Sequence, residues 1–133
     1  MKRMFVLAFD GYYTEEDLPA EGHECSGVYL VYRGNENEQT ELIYIGRSKD
    51  IANRPSPNHQ SYQKWRKELK DGEILYFSFA NTEDEARAEA ALIYRVKPVC
   101  NCTGKDAFHH DETTVYTSGE NFGLEDSFIV QAD

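Results

Sequence analysis

Two short strand-forming runs, each bounded by glycine, constrain the possible folds of this chain more than any other feature. Gly27 opens Val28-Tyr29-Leu30-Val31-Tyr32, and Leu42-Ile43-Tyr44-Ile45 closes on Gly46. Their β-branched and aromatic content suits a pleated surface. The stretch at 34–40 is polar, shows no apolar period and reads as a turn. The two runs are therefore expected to be antiparallel neighbours, and a hairpin this apolar must be covered by further elements.

Those elements are legible on both sides. Residues 4–9 form an apolar run expected to be a strand, and the acidic stretch at 14–24, with Pro19 and Gly22, reads as a loop. Ser48 is placed to cap a short helix over 49–53, which Pro55 should disturb at Arg54 because proline disfavours α geometry in the residue before it. A second helix is expected over 62–70. Tyr62, Trp65 and Leu69 share its inner side, as core anchors and not as stacking platforms, and Gly72 ends it. Residues 74–79 form the next strand. Thr82 and Glu85 make a T-x-x-E capping box for a helix that runs through Ala86, Ala90 and Ile93 and stops at Lys97-Pro98. Short β-prone pieces at 113–117 and 128–130 suggest a strand-rich carboxyl-terminal appendage.

The resulting order is β, β, helix, helix, β, helix, an α+β pattern with a small antiparallel β-sheet flanked by helices and extra strand segments at both ends. At 133 residues the chain fits one domain over 1–133, with a motif core at 27–101, an acidic loop at 10–25 and an acidic, β-prone extension at 103–133. It contains neither a dinucleotide-binding glycine pattern nor a P-loop. No secretory or membrane-spanning stretch is present, and three cysteines suit a reducing compartment, so a cytoplasmic protein without membrane attachment is expected.

Charge sharpens the picture. The chain carries 14 Lys and Arg against 24 Asp and Glu, a net charge of −10, which is the wrong sign for non-specific nucleic-acid binding. Yet residues 47–70 hold seven bases (Arg47, Lys49, Arg54, Lys64, Arg66, Lys67, Lys70) and two acids (Asp50, Glu68). A basic stripe therefore sits in an acidic protein, either as a phosphate-binding groove or as the solvated faces of two helices.

The hairpin places two phenols on adjacent strands, Arg54 comes ten residues after Tyr44, and Glu89 lies inside the capped helix among Ala86, Ala88, Ala90 and Ala91. Here the sequence resembles the GIY-YIG nuclease family. The resemblance rests on Gly27-Val28-Tyr29, Tyr44-Ile45-Gly46, Asn53-Arg54, and Glu89 with Leu92-Ile93, Pro98 and Asn101 after it, all in family order. It implies hydrolysis of a phosphodiester in nucleic acid, DNA being favoured, with one divalent cation, Mg²⁺ or Mn²⁺, leaving a 5′-phosphate and a 3′-hydroxyl. By the same resemblance Glu89 would hold the metal, Tyr29 or Tyr44 would take the proton from the attacking water, and Arg54 would favour the phenolate or grip phosphate. His59 would relay a proton, Arg47 would contact phosphate and Asn101 would order the site. Lys49, Lys64, Lys67 and Asn101 complete the expected nucleic-acid contacts.

Two departures stand out: Pro55 directly after Arg54, and a longer turn between the tyrosine strands. A zinc site is disfavoured, since His23-x-Cys25, Cys100-x-Cys102 and His109-His110 lack the usual ligand spacing. A rival reading keeps the fold without turnover, as a module that binds nucleic acid or protein, the latter through an acidic surface that imitates DNA. A nuclease this small calls for a partner, a second copy or an unusual substrate shape to gain specificity.

Overall fold

The computed structural model describes residues 1–36 and 38–132. Asn37, inside the turn expected at 34–40, and Asp133, the end of the carboxyl-terminal extension, lie outside the described residues. The two glycine-bounded runs form the expected hairpin, β2 (Gly27–Asn35) and β3 (Glu38–Ser48). Tyr29 lies opposite Gly46, Leu30 opposite Ile45 and Val31 opposite Tyr44. The register shifts between Val31 and Tyr32, where Tyr32 pairs with Leu42 and leaves Ile43 as the extra residue. This bulge lets Ile43 join Tyr29 and Val31 in one core cluster, against which Tyr44 also packs.

β4 (Ile74–Asn81) pairs antiparallel with the other side of β2, and β1 (Arg3–Tyr13) pairs antiparallel with β4. β5 (Thr113–Gly119) then runs parallel to β1, with β6 (Ser127–Val130) antiparallel at the edge. The strand order is β3-β2-β4-β1-β5-β6. The α+β class holds, but the sheet is mixed and not purely antiparallel. The carboxyl-terminal pieces are not an appendage, because β5 completes the ladder along β1 and supplies Val115 to the core.

Both faces of β2 are buried, and its alternating side chains divide between two layers. Val28, Leu30 and Tyr32 join Phe5, Leu7 and Phe9 of β1 beneath Ala88, Ala91 and Leu92 of helix α2 (Glu85–Val96). Tyr29 and Val31 face the opposite way, toward Phe77, Phe79 and Trp65 of helix α1 (Tyr62–Lys67). Trp65 is fully buried although its Nε1 has no hydrogen-bond partner. An unsatisfied donor costs about 1–3 kcal/mol, less than the roughly 4–6 kcal/mol expected from burying an indole.

Three helical expectations need correction. No regular helix forms over 49–53. The segment turns instead, with the Asp50 amide donating to Ser48 Oγ and the Asn53 amide donating to Asp50, and Pro55 and Pro57 keep the stretch up to α1 irregular. Helix α1 ends at Lys67 and not Lys70, because Glu68 and Leu69 make i−3 bonds to Trp65 and Arg66 that tighten the chain out of α geometry. Thr82 and Glu85 do not form a capping box. The N-cap of α2 is Asp84, in the left-handed region and held by Arg3 at 2.9 Å, while Thr82 donates to the Glu83 carbonyl. The helix stops as expected, with Lys97 at φ 55° just before Pro98.

Candidate active site

The pairing of Tyr29 with Gly46 is the local decision on which the site depends. The Tyr29 ring lies directly over Gly46, so close that a Cβ there would stand 2.2 Å from its Cζ and 2.3 Å from its Oη. Glycine is needed here for space, because the ring occupies the volume a side chain would fill. Tyr44, two residues back on the same face of β3, brings its ring to 6.3 Å from that of Tyr29. The expected co-facing of the two phenols is therefore found.

Around this pair the irregular segment after β3 supplies the rest. His59 is buried, its ring 4.5 Å from that of Trp65 and 5.5 Å from that of Tyr44. The backbone N–H of Ser61 donates to His59 Nδ1 at 2.9 Å. A neutral ring with an acceptor at Nδ1 carries its proton on Nε2, and Nε2 lies 2.7 Å from Tyr29 Oη. His59 thus donates to Tyr29 and does not draw its proton away. The Tyr44 ring lies beside that of Tyr29, and Ser61 borders the same cleft. Ser61, which sequence reasoning missed, orients His59 through its backbone N–H. Its only sequence signal is its position just before α1.

Glu89 of α2, Arg47 at the end of β3, Arg54 and Lys64 border the same cleft of about 610 Å³ with both phenols. Arg54 enters from the turn and not from a helix, so Pro55 changes how the guanidinium is presented without removing it. Arg47 Nε donates to Glu89 Oε1 at 3.2 Å. Lys49 pairs with Glu85 at 3.1 Å, and Lys64 donates to Cys102 Sγ. Neither Lys49 nor the exposed Lys67 borders the cleft.

Asn101, expected to order the site and to contact nucleic acid, lines the cleft with its amide engaged by backbone: Oδ1 accepts from Ile45 N–H and Nδ2 donates to Ile45 O, both at 2.9 Å. Together with the Cys100 N–H bond to Ile43 O, it pairs the open edge of β3 and fixes the strand that carries Tyr44 and Gly46.

The electrostatics of the site are set by its enclosure. Burial pushes the phenols of Tyr29 and Tyr44 above their ordinary value of 10, and the positive charge of Arg54 opposes this without reversing it. The resting form of both is the neutral phenol, so Arg54 alone does not supply the expected phenolate. Burial also raises Glu89, partly offset by Arg47. The site holds one carboxylate, hydroxyl groups and three cationic side chains. That set suits a hard divalent ion taking most of its oxygen ligands from water and phosphate. Among the described residues no group of three or more His, Cys, Asp or Glu side chains is placed to hold a metal.

Burial, and then Arg54, pull His59 down from 6.5 to about 4. Between these values the unfolded chain takes up a proton that the folded ring refuses, so the contribution of His59 is complete above about pH 6.5 and is lost as pH falls through about 4. The expected loss is on the order of 3 kcal/mol. Urea unfolding at pH 7.5 and 4.5 should show a smaller pH-dependent drop for His59→Gln than for the native protein. Equal drops would place the titrating groups elsewhere.

Comparison with known proteins adds one relation. The chain is 32% identical over 119 residues to UvrABC system protein C of Clostridium botulinum, in strains Hall, Langeland and Okra alike. The match covers 86% of this chain and 18% of each relative, so the chain spans about a fifth of the length of those proteins. A match of that extent includes the whole interval from Tyr29 to Asn101. No family model matches the chain, and no solved structure matches it. Among the described residues no helix is long and apolar enough to cross a membrane.

Proposed function

We propose that this chain is a metal-dependent endonuclease of the GIY-YIG type, acting on DNA and leaving 5′-phosphate and 3′-hydroxyl ends. The observation that carries the reading is the convergence of Tyr29, Tyr44, Arg54 and Glu89 on one cleft, from β2, β3, an irregular turn and α2. The resemblance to UvrABC system protein C, which spans all four positions, supports it.

The arrangement divides the labour. Tyr44 is the base: Tyr29 and Ser61 border the same cleft beside it, two hydroxyl groups of the kind that stabilise a phenolate. Its half-exposed position lets its own proton face the cleft. Tyr29, held by His59, packs beside Tyr44 and positions it. Arg54 grips a non-bridging phosphate oxygen and stabilises the charge that develops there. Glu89 would hold the divalent cation, which when bound supplies charge neutralisation at the phosphate and the leaving oxygen. Asn101 keeps β3 in place.

The test is incubation with supercoiled and branched DNA in Mg²⁺ or Mn²⁺ against an EDTA control, with end-group analysis of the products. Cation-dependent nicking with ligatable ends is the expected result. Binding that weakens steeply with salt, without any cleavage, would establish the non-catalytic module instead.

A further inference from the structure

Glu89 already has a cationic partner in this structure. The Arg47 guanidinium holds one of its oxygens at 3.2 Å, the carboxylate side chain being 21% exposed and the arginine 49%. A second pair lies beside it: Lys49, two residues after Arg47, meets Glu85, four residues before Glu89 on α2. Two bases at the exit of β3 thus face two acids one helical turn apart.

The two pairs differ in what else they could contact. Glu85 is only 4% exposed and lies outside the cleft, and Lys49 compensates its buried charge. Arg47 and Glu89 both border the cleft, and each has an alternative partner there. The planar guanidinium fork fits phosphate as well as carboxylate, and a carboxylate is the protein oxygen ligand a hard cation needs.

We propose that Arg47 is a resident competitor for Glu89: in the free protein it occupies the carboxylate and holds cation affinity down, and a phosphate group that draws Arg47 away opens Glu89 to the metal. The proposal rests on the nuclease reading above and adds regulation of the same site. A cation at Glu89 competes with the Arg47 charge for the same carboxylate and with its Nε for Oε1, so the free energy of the pair opposes cation binding. For a partly exposed pair this amounts to about a two- to fivefold reduction in affinity. The metal and the nucleic acid then favour one another, and the free protein carries little bound metal.

The experiment is Mn²⁺ titration of the full chain without nucleic acid, read from the paramagnetic resonance signal of the free ion. Arg47→Met, Arg47→Gln, Lys64→Met and Glu89→Gln are compared with the native protein, and circular dichroism confirms the fold of each. Both Arg47 variants should bind Mn²⁺ about two- to fivefold more tightly. Lys64→Met, which removes a positive charge from the same cleft, should change affinity by less than about twofold, and Glu89→Gln should abolish binding.

Unchanged or weaker affinity in the Arg47 variants overturns the proposal, as does the absence of measurable Mn²⁺ on them. An equal gain in Lys64→Met also overturns it, since the effect would then be one of net charge. Mn²⁺ bound as well by Glu89→Gln as by the native protein removes the cation from Glu89, and with it the proposed chemistry. Loss in Glu89→Gln alongside no gain in the Arg47 variants removes only the competition.

Discussion

Replacing Glu89 by glutamine should reduce DNA nicking by at least about a thousandfold while leaving the protein folded. Among the described residues lining the cleft this is the one carboxylate. Charge stabilisation by a bound metal is worth several kcal/mol in the transition state, and each 1.4 kcal/mol or so is tenfold in rate. The stability side has the opposite sign. Burial already disfavours the Glu89 carboxylate, and glutamine retains an oxygen for the Arg47 Nε bond, so the midpoint of thermal unfolding should stay within a few degrees. Nicking by Glu89→Gln at a rate within tenfold of the native protein, under the same Mg²⁺ or Mn²⁺, would remove the carboxylate from the mechanism.

The second large effect is expected from a single methyl group. Gly46→Ala would place a Cβ 2.2–2.3 Å from the Tyr29 phenol, and the ring has nowhere to go. It is 1% exposed, hydrogen bonded to His59, and enclosed by Tyr44 and Phe79. Overpacking of this kind costs about 1–3 kcal/mol. A displacement of the phenols by about 1 Å is enough for a hundredfold loss of rate. Both effects should therefore occur together, as a lower urea midpoint with an unchanged slope and as weaker nicking by the folded fraction. A variant that keeps native stability and native activity would mean that Tyr29 does not lie over that glycine.

Much of this was legible along the chain. The hairpin was readable because strand-forming residues, bounding glycines and a polar turn agree with one another, and such local consistency leaves few alternatives. The co-facing of Tyr29 and Tyr44 came from period-two alternation once the pairing was assumed. The buried role of Trp65 came from helical spacing. What was misread depended on competition between local and distant partners. The T-x-x-E pattern at Thr82 suggested a capping box, but Glu85 finds Lys49 across the fold, and a charged partner outweighs a local cap. The strand at 113–117 was visible, whereas its parallel seat against β1 was not, because parallel pairing joins segments about 110 residues apart with no turn signal between them.

The site divides in the same way. Residue types and order pointed to Tyr29, Tyr44, Arg54 and Glu89, but only the folded chain showed that Arg47 and Lys49 are matched by acids on α2 and that Asn101 is engaged with backbone. Ser61 carried no distinguishing pattern, because its role depends on which ring lies next to it.

By itself the sequence determined the strands, the two regular helices and which side chains could do chemistry, since these depend on near neighbours and on the intrinsic properties of each residue. Only the tertiary structure decided the order of strands in the sheet, the direction of the His59 hydrogen bond and the partners of the cationic stripe. Those depend on contacts between residues far apart in the chain, where burial and charge pairing outweigh local preference.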